Sequence, residues 1–355
     1  MNRFPLIFAF CLTLIAGDSF SQTRKFSNEF LSIGVGARAL GMSNTQIGIV
    51  NDVTAGYWNP AGILGVEKGS EVGLMHAEYF AGIAKYDFAG FVKRIDSTQA
   101  FAISMLRFGV DDIPNTTELI DAEGNIDFNR ITPFSAADYA FLFSYARQWK
   151  QKLRLGANFK VIRRVVGDFG NSWGFGLDAG VQYHTGKWQL GAVLRDATST
   201  FNAWNYSLDQ NTIDVFLRTG NEVPENGLEI TLPKLIVGGG RNFKINENFS
   251  VLAAIDLDVS SDGERNTLIS ADPISVDPHA GFEVGYRNLI FLRGGIGNFQ
   301  YEQETLEKKV LTFQPNIGVG LNLRRFTLDY AFSDIGDQSV AVKSNIFSLK
   351  FRIIS

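Results

Sequence analysis

Four features of the chain bring together residue types that could do chemistry. Gly34-Val35-Gly36-Ala37-Arg38-Ala39 fits G-x-G-x-x-A, and the acidic Asp52 follows at about the interval at which a dinucleotide site contacts a ribose. Gly170-Asn171-Ser172-Trp173-Gly174 fits the nucleophile elbow G-x-S-x-G, with Ser172 as the attacking hydroxyl. Asp256, Asp258, Asp262 and Glu264 gather the oxygen donors that a calcium loop uses. His76, His184 and His279 are the chain's imidazoles, the groups to which proton transfer or metal binding would fall.

Each chemistry needs a context the sequence withholds. A dinucleotide site needs a strand, a helix opening at the glycines and a βαβ unit, whereas this stretch follows a leader-like segment and precedes antiparallel-type alternation. The elbow needs a strand-to-helix turn and a histidine, but Ser172 opens a strand. Neither register of the acidic run supplies both the glycine and the final glutamate of an EF-hand, and Asp256 and Asp258 alternate with Ile255, Leu257 and Val259 as one face of a strand would. No histidine pair has metal spacing. Arg163 and Arg164, with Asp111 and Asp112, read as internal ion pairs. The expectation is a non-enzyme with no cofactor and no metal.

The elements that would position these residues follow from composition and period. Among 355 residues there are 30 Phe and 36 Gly, with 3 His, 1 Cys and a net charge of -4, a balance that suits sheets and gives no footprint for nucleic acid. Arg3, the apolar stretch Leu6 to Ala16 and the small residues Ser19 and Ser21 predict a signal peptide over 1–21, cleaved after Ser21. Cys11 lies within it, so disulfides are not expected in the mature chain.

Ser172 to His184 sets Trp173, Phe175, Leu177, Ala179, Val181 and Tyr183 against Ser172, Gly174, Gly176, Asp178, Gly180, Gln182 and His184, a period of two with one apolar face. Fourteen such segments are read, at 70–80, 84–95, 98–108, 137–148, 152–165, 172–184, 187–197, 231–243, 249–260, 278–288, 289–299, 312–324, 325–335 and 344–354. Most run to about ten residues, the length of a tilted membrane strand, with aromatics such as Trp149, Tyr183, Trp188, Phe249 and Phe326 near their ends. Tight turns alternate with the long connections 109–136, 198–230 and 261–277. An even count with one short and one long side predicts an all-β fold, a 14-stranded antiparallel transmembrane β-barrel spanning 70–355, its short turns and both mature termini periplasmic and its long loops extracellular.

Segment 22–69 lacks long alternation and is the right size for a helical hatch in the lumen. Asn51 or Asp52 could cap one short helix, and Asn59 followed by Pro60 predicts the start of another. Within it, "FLSIGVGARALGMSNTQIGIVNDVTAGYWNPAGI" resembles the N-terminal signature of the PorV/PorQ family of outer-membrane proteins. Gly34, Ala37, Arg38, Ala39, Gly41 and Met42 fill its first half, and Asn51, Asp52, Ala55, Tyr57, Trp58, Asn59, Pro60, Ala61 and Gly62 its second. That family is similar to the fatty-acid transporter FadL, whose barrel has fourteen strands and an N-terminal hatch. The resemblance implies a type IX secretion system barrel, PorV-like or a PorV paralogue, that binds the C-terminal signal domain of exported cargo, a gliding adhesin being one kind, and works beside the translocon barrel. Phe128, Phe134, Phe201, Trp204, Tyr206 and Phe216 in the two longest loops are the expected cargo anchors, with packing of the loops on each other as the alternative. The second functional reading is a FadL-like uptake channel for hydrophobic small molecules, which needs a lateral opening and an apolar pocket in the lumen.

Overall fold

The computed structural model describes residues 27–67, 69–120, 124–305, 308–334 and 343–353. The expected signal peptide lies outside the described residues.

The strands are β1 (Ser70–Tyr79), β2 (Ala84–Arg94), β3 (Gln99–Asn115), β4 (Thr132–Lys150), β5 (Leu153–Val166) and β6 (Gly170–Thr185). There follow β7 (Trp188–Arg195), β8 (Thr200–Tyr206), β9 (Gly227–Thr231), β10 (Lys234–Lys244), β11 (Phe249–Ser260) and β12 (Ile269–Ser270). The last are β13 (Ser275–Tyr286), β14 (Ile290–Thr305), β15 (Lys308–Leu323), β16 (Phe326–Asp334) and β17 (Lys343–Ile353). Fourteen of them pair in turn, β7 with β10 and β11 with β13, and β17 returns to β1 in antiparallel register from Ser70↔Ile353 to Glu78↔Asn345. The sheet is therefore a closed 14-stranded antiparallel barrel.

Alternation decides which way each side chain points. On β6, Trp173, Phe175, Leu177 and Tyr183 are exposed on the outside, while Ser172, Asp178 and Gln182 are buried inside. Phe143, Phe159, Phe175 and Phe201 form an outward ladder across four strands, with successive ring centroids 6.4, 6.2 and 5.8 Å apart. A soluble protein would bury such a belt, whereas hydrocarbon solvates it, and closure leaves no unpaired edge for the hydrocarbon to meet. No helix among the described residues is long and apolar enough to cross a membrane.

Three departures from the sequence reading have local causes. The 198–230 connection is only partly a loop. β8 continues antiparallel to β6 where β7 leaves off, β9 pairs with β8, and helix α3 (Gln210–Arg218) lies between them in the chain, after the shorter lumen helices α1 (Ala37–Leu40) and α2 (Ala55–Trp58). The break between β7 and β8 falls at Asp196 and Ser199, both at positive φ, and it interrupted the alternation. Likewise β3 and β4 extend past the expected ends into 109–136. The expected pairing of Arg163 and Arg164 with Asp111 and Asp112 does not form, because β4 lies between β3 and β5. Instead Arg164 meets Asp138 at 2.8 Å, Arg163 stacks over Trp173, and Asp111 meets Lys85 at 3.1 Å.

Candidate functional site: the filled lumen

Residues 33–64 are almost wholly buried. They form the helices α1 (Ala37–Leu40) and α2 (Ala55–Trp58) and a 3-10 helix at Pro60–Gly65. Asn59 caps the last, accepting from the Ala61 N–H with proline at the first position. Asp52 Oδ1 accepts from the Thr54 N–H at 2.9 Å and so starts the turn into α2. Gly34 and Gly36 have φ of 103° and 90°, which a side chain would resist. No strand–helix–strand unit surrounds them, and their role is to turn the backbone.

Short helices leave backbone groups unpaired, and the wall supplies the partners. Asp256 accepts from the Gln46 and Ile47 N–H groups at 2.6 and 2.9 Å, Ser348 Oγ from Ala37 at 2.7 Å, and Glu71 from Val53 at 2.8 Å. Asn158 donates to the Gly56 carbonyl and Gln182 to that of Val50. Asp256 is thus a lumen carboxylate spent on backbone, Asp258 pairs with Lys234 at 2.5 Å, and Asp262 pairs with Arg265. No group of His, Cys, Asp and Glu among the described residues could hold a metal. Ser172 is buried on β6 opposite Arg164 and Trp204, and the three histidines stand on β1, β6 and β13.

A chain of charges fastens the plug on one side. Arg38 makes a forked contact with Glu283 at 2.9 and 3.1 Å, Glu283 binds Arg293 at 2.6 Å, and Arg293 binds Asp329 at 2.7 Å. Lys350 joins Asp329 at 3.3 Å to Asp52 at 2.8 Å. Burial alone would raise the Asp52 carboxyl, but Lys350 and Arg38 outweigh it and hold the group well below the usual carboxylate range. For Arg38, burial alone would lower the guanidinium, and Glu283 more than reverses this. On the opposite side shape does the work. Gly156 and Gly180 are cross-strand partners, and a Cβ at either would lie 2.4 Å from Ala61 N or 2.3 Å from Asn59 Oδ1. The pair forms a notch that admits Asn59-Pro60-Ala61. Tyr57 and Trp58 pack edge to face at 4.8 Å beneath the Arg195 guanidinium. Gly41 abuts Gly318, and Asn51 is exposed beside Gly65.

The plug runs from the long-loop side, where Ser27 and Asn28 bond Asn202, Glu229 and Thr231, to the short-turn side at Glu67. Above it, toward the long loops, lies a chamber of about 500 Å³ lined by Trp58, Arg195, Asp258, His279, Gln314 and Asn316 among others. Its lining is mixed, with Ile33, Leu40, Ile47, Trp58 and Ile236 beside the charged and amide groups, rather than the apolar pocket expected of a hydrophobic uptake channel. A larger apolar hollow of about 700 Å³ lies on the barrel's outer wall, between Leu74, Val319, Leu328 and Phe347.

The expected loop anchors divide. Phe128 projects freely at 72% exposure. Phe134 packs on Phe169 at 5.1 Å, Trp204 stacks on Tyr206 at 5.4 Å under Arg164, and Phe216 is half-buried on α3. Phe201 belongs to the wall, because β8 turns its ring outward against Phe175. Sequence reasoning missed the wall half of the plug contacts, Glu71, Glu283, Arg293, Asp329 and Lys350, although each stands at an inward position of an alternating strand.

No family model and no curated protein matches the chain. Among solved structures it is similar to the toluene transporter TbuX of Ralstonia pickettii at 16% identity and a TM-score of 0.54, covering 90% of this chain and 98% of that one. The CymD monoaromatic hydrocarbon channel gives 14% identity, a TM-score of 0.56 and coverage of 91% and 98%. A FadL homologue of Pseudomonas aeruginosa gives 12%, 0.52, and coverage of 88% and 97%. At such identities the likeness establishes architecture alone: this chain has the fold of the FadL-like barrels.

Proposed function

We propose that the chain is an outer-membrane channel for small molecules, held shut by its own N-terminal segment. The observation that carries this reading is the chamber of about 500 Å³ that lies above the plug, toward the long loops, inside a closed wall. Its size lies within the roughly 300–1,000 Å³ of small-molecule sites. The likeness to barrels described as toluene transporters and a monoaromatic hydrocarbon channel supports it. The long loops face the exterior and the short turns the periplasm, and segment 22–69, after loss of 1–21, acts as the hatch. The plug gates passage, held by ion pairs on one side and seated in the glycine notch on the other. Reconstitution into liposomes tests the reading. Solute flux is expected to be slow in the native chain and faster once the plug is loosened at the notch; absence of flux for every solute class with a displaced plug would overturn it.

A second reading is docking of an exported protein's C-terminal domain on the long-loop rim. The observation favouring it is the pair of projecting apolar side chains Phe128, 72% exposed, and Leu217 on α3, 64% exposed. The PorV/PorQ-like signature supplies the kind of partner, type IX cargo, and the translocon barrel as neighbour. Capture of such a domain by the native barrel, lost in Phe128→Ala/Leu217→Ala, is the expected result; equal capture by the double variant would remove this reading.

A further inference from the structure

The chamber lining carries information on what would enter it. Three cationic side chains, Arg195, Lys234 and Arg265, face three anionic ones, Glu29, Asp258 and Asp277. Lys234 is paired with Asp258 at 2.5 Å and Arg265 with Glu29 at 3.5 Å, while Arg195 lies over Tyr57 and Trp58. The opposing signs balance, so the lining offers no surplus field to collect an ion.

Along the wall of β14, β15 and β16 runs a neutral ladder that reaches the plug at Ser43. Gln300 donates to Asn298 at 2.7 Å, Asn298 to Gln314 at 3.3 Å, and Gln314 to Ser333 at 3.2 Å. Ser333 donates to Asn316 at 2.5 Å, and Asn316 to Ser43 of the plug at 2.7 Å. A carboxamide carries two donors and an oxygen with two lone pairs, so each rung spends only part of its capacity on its neighbours. Where the ladder meets the plug, Ser43 and the following Asn44 both hold left-handed backbone, with φ of 50° and 66°.

We infer that the chamber receives a neutral, polyhydroxylated solute of mono- to disaccharide size, recognised by the amide ladder from Gln300 to Asn316. A hydroxyl both donates and accepts, as each rung does, so solute and ladder can exchange partners without leaving a buried polar group unmet. A hydrocarbon in the same place would meet Ile33, Ile47 and Ile236 but strip water from the ladder and leave its spare donors and acceptors unmet. The inference rests on the channel reading and names its substrate class.

The test uses the full barrel in detergent and in liposomes, with glucose and maltose as polar probes and toluene as the apolar one. Asn298→Cys, modified by a membrane-impermeant thiol reagent, is expected to react more slowly when maltose is present and at an unchanged rate with toluene. Gln300→Leu/Gln314→Leu is expected to bind maltose about 10- to 100-fold more weakly, as loss of two neutral hydrogen bonds implies, with unaltered heat-modifiable mobility. Toluene flux without sugar flux or protection would overturn the inference and leave the channel reading standing. Absence of flux for all three, with the plug displaced, would overturn both. Sugar protection that survives in the double variant would overturn the assignment to the ladder.

Discussion

Adding a single methyl group at Gly156 should loosen the plug. A Cβ there would lie 2.4 Å from both Ala61 N and Pro60 C, against backbone that has no rotamer to yield. Ordinary contact needs about 3.5 Å, so the plug must retreat by about 1 Å. Overpacking of this kind costs about 1–3 kcal/mol. Retreat also stretches the 3.0 Å bond from Asn59 Nδ2 to the Val181 carbonyl, worth about 1 kcal/mol. Together about 2–4 kcal/mol is removed from the seated state, which raises the displaced population roughly 30- to 700-fold. Gly156→Ala should therefore show frequent openings in planar-bilayer recordings and faster trypsin cleavage at Arg38, which the native barrel shields. Gly227→Ala, where the nearest atom is 3.8 Å away, serves as the matched control. Closure and protection in Gly156→Ala equal to those of the control would refute the view that the notch seats Asn59-Pro60-Ala61.

Asp52→Asn removes the plug's carboxylate from Lys350, which keeps Asp329 at 3.3 Å. The loss should be about 1–3 kcal/mol, below the ~3–5 of a pair broken outright, and read as a lower temperature of heat-modifiable mobility change. The pH dependence follows from the depressed Asp52 carboxyl: its stabilisation is complete above the ordinary aspartate value of about 3.9 and fades only as pH falls through the lower folded value. Hydrogen-exchange protection of the Asp52–Ala55 turn, corrected for intrinsic exchange, should then match at pH 7 and pH 5 and diverge only well below pH 4; loss of protection there at pH 5 would contradict the ion chain. Phe128→Ala alone should change barrel stability by less than about 0.5 kcal/mol, since the ring projects from the rim, and a larger shift in melting would show it to be packed.

Much of the barrel was legible because a membrane strand must repeat the same binary choice at each step. Phe175 and Leu177 outward, Asp178 and Gln182 inward, announce wall and lumen without further knowledge. The strands that escaped notice, β8, β9 and the two-residue β12, are short, and the bend at Asp196–Ser199 resets the phase between β7 and β8. The plug was readable as a segment and its cap at Asn59 as a residue, because Asn-Pro is a local signal. Its contacts were not. Arg38 finds Glu283 across 245 residues, and Asp256 spends its carboxylate on backbone 210 residues away, relations that no local spacing encodes. The amide ladder of the chamber likewise emerges only when Gln300 of β14 and Gln314 and Asn316 of β15 are brought onto one wall.

The grip of β17 on the plug bears on how the molecule is put together. Ser348 and Lys350 stand on the last strand, and they hold Ala37 and Asp52 from 311 and 298 residues away. A segment synthesised early is thus clasped by one synthesised 298 to 311 residues later. Contacts so distant in sequence make for slow maturation, since the whole intervening chain must be ordered before they can form. An assembly intermediate lacking only its final seam would carry an unsecured core, and joining the seam would complete cylinder and stopper in one step.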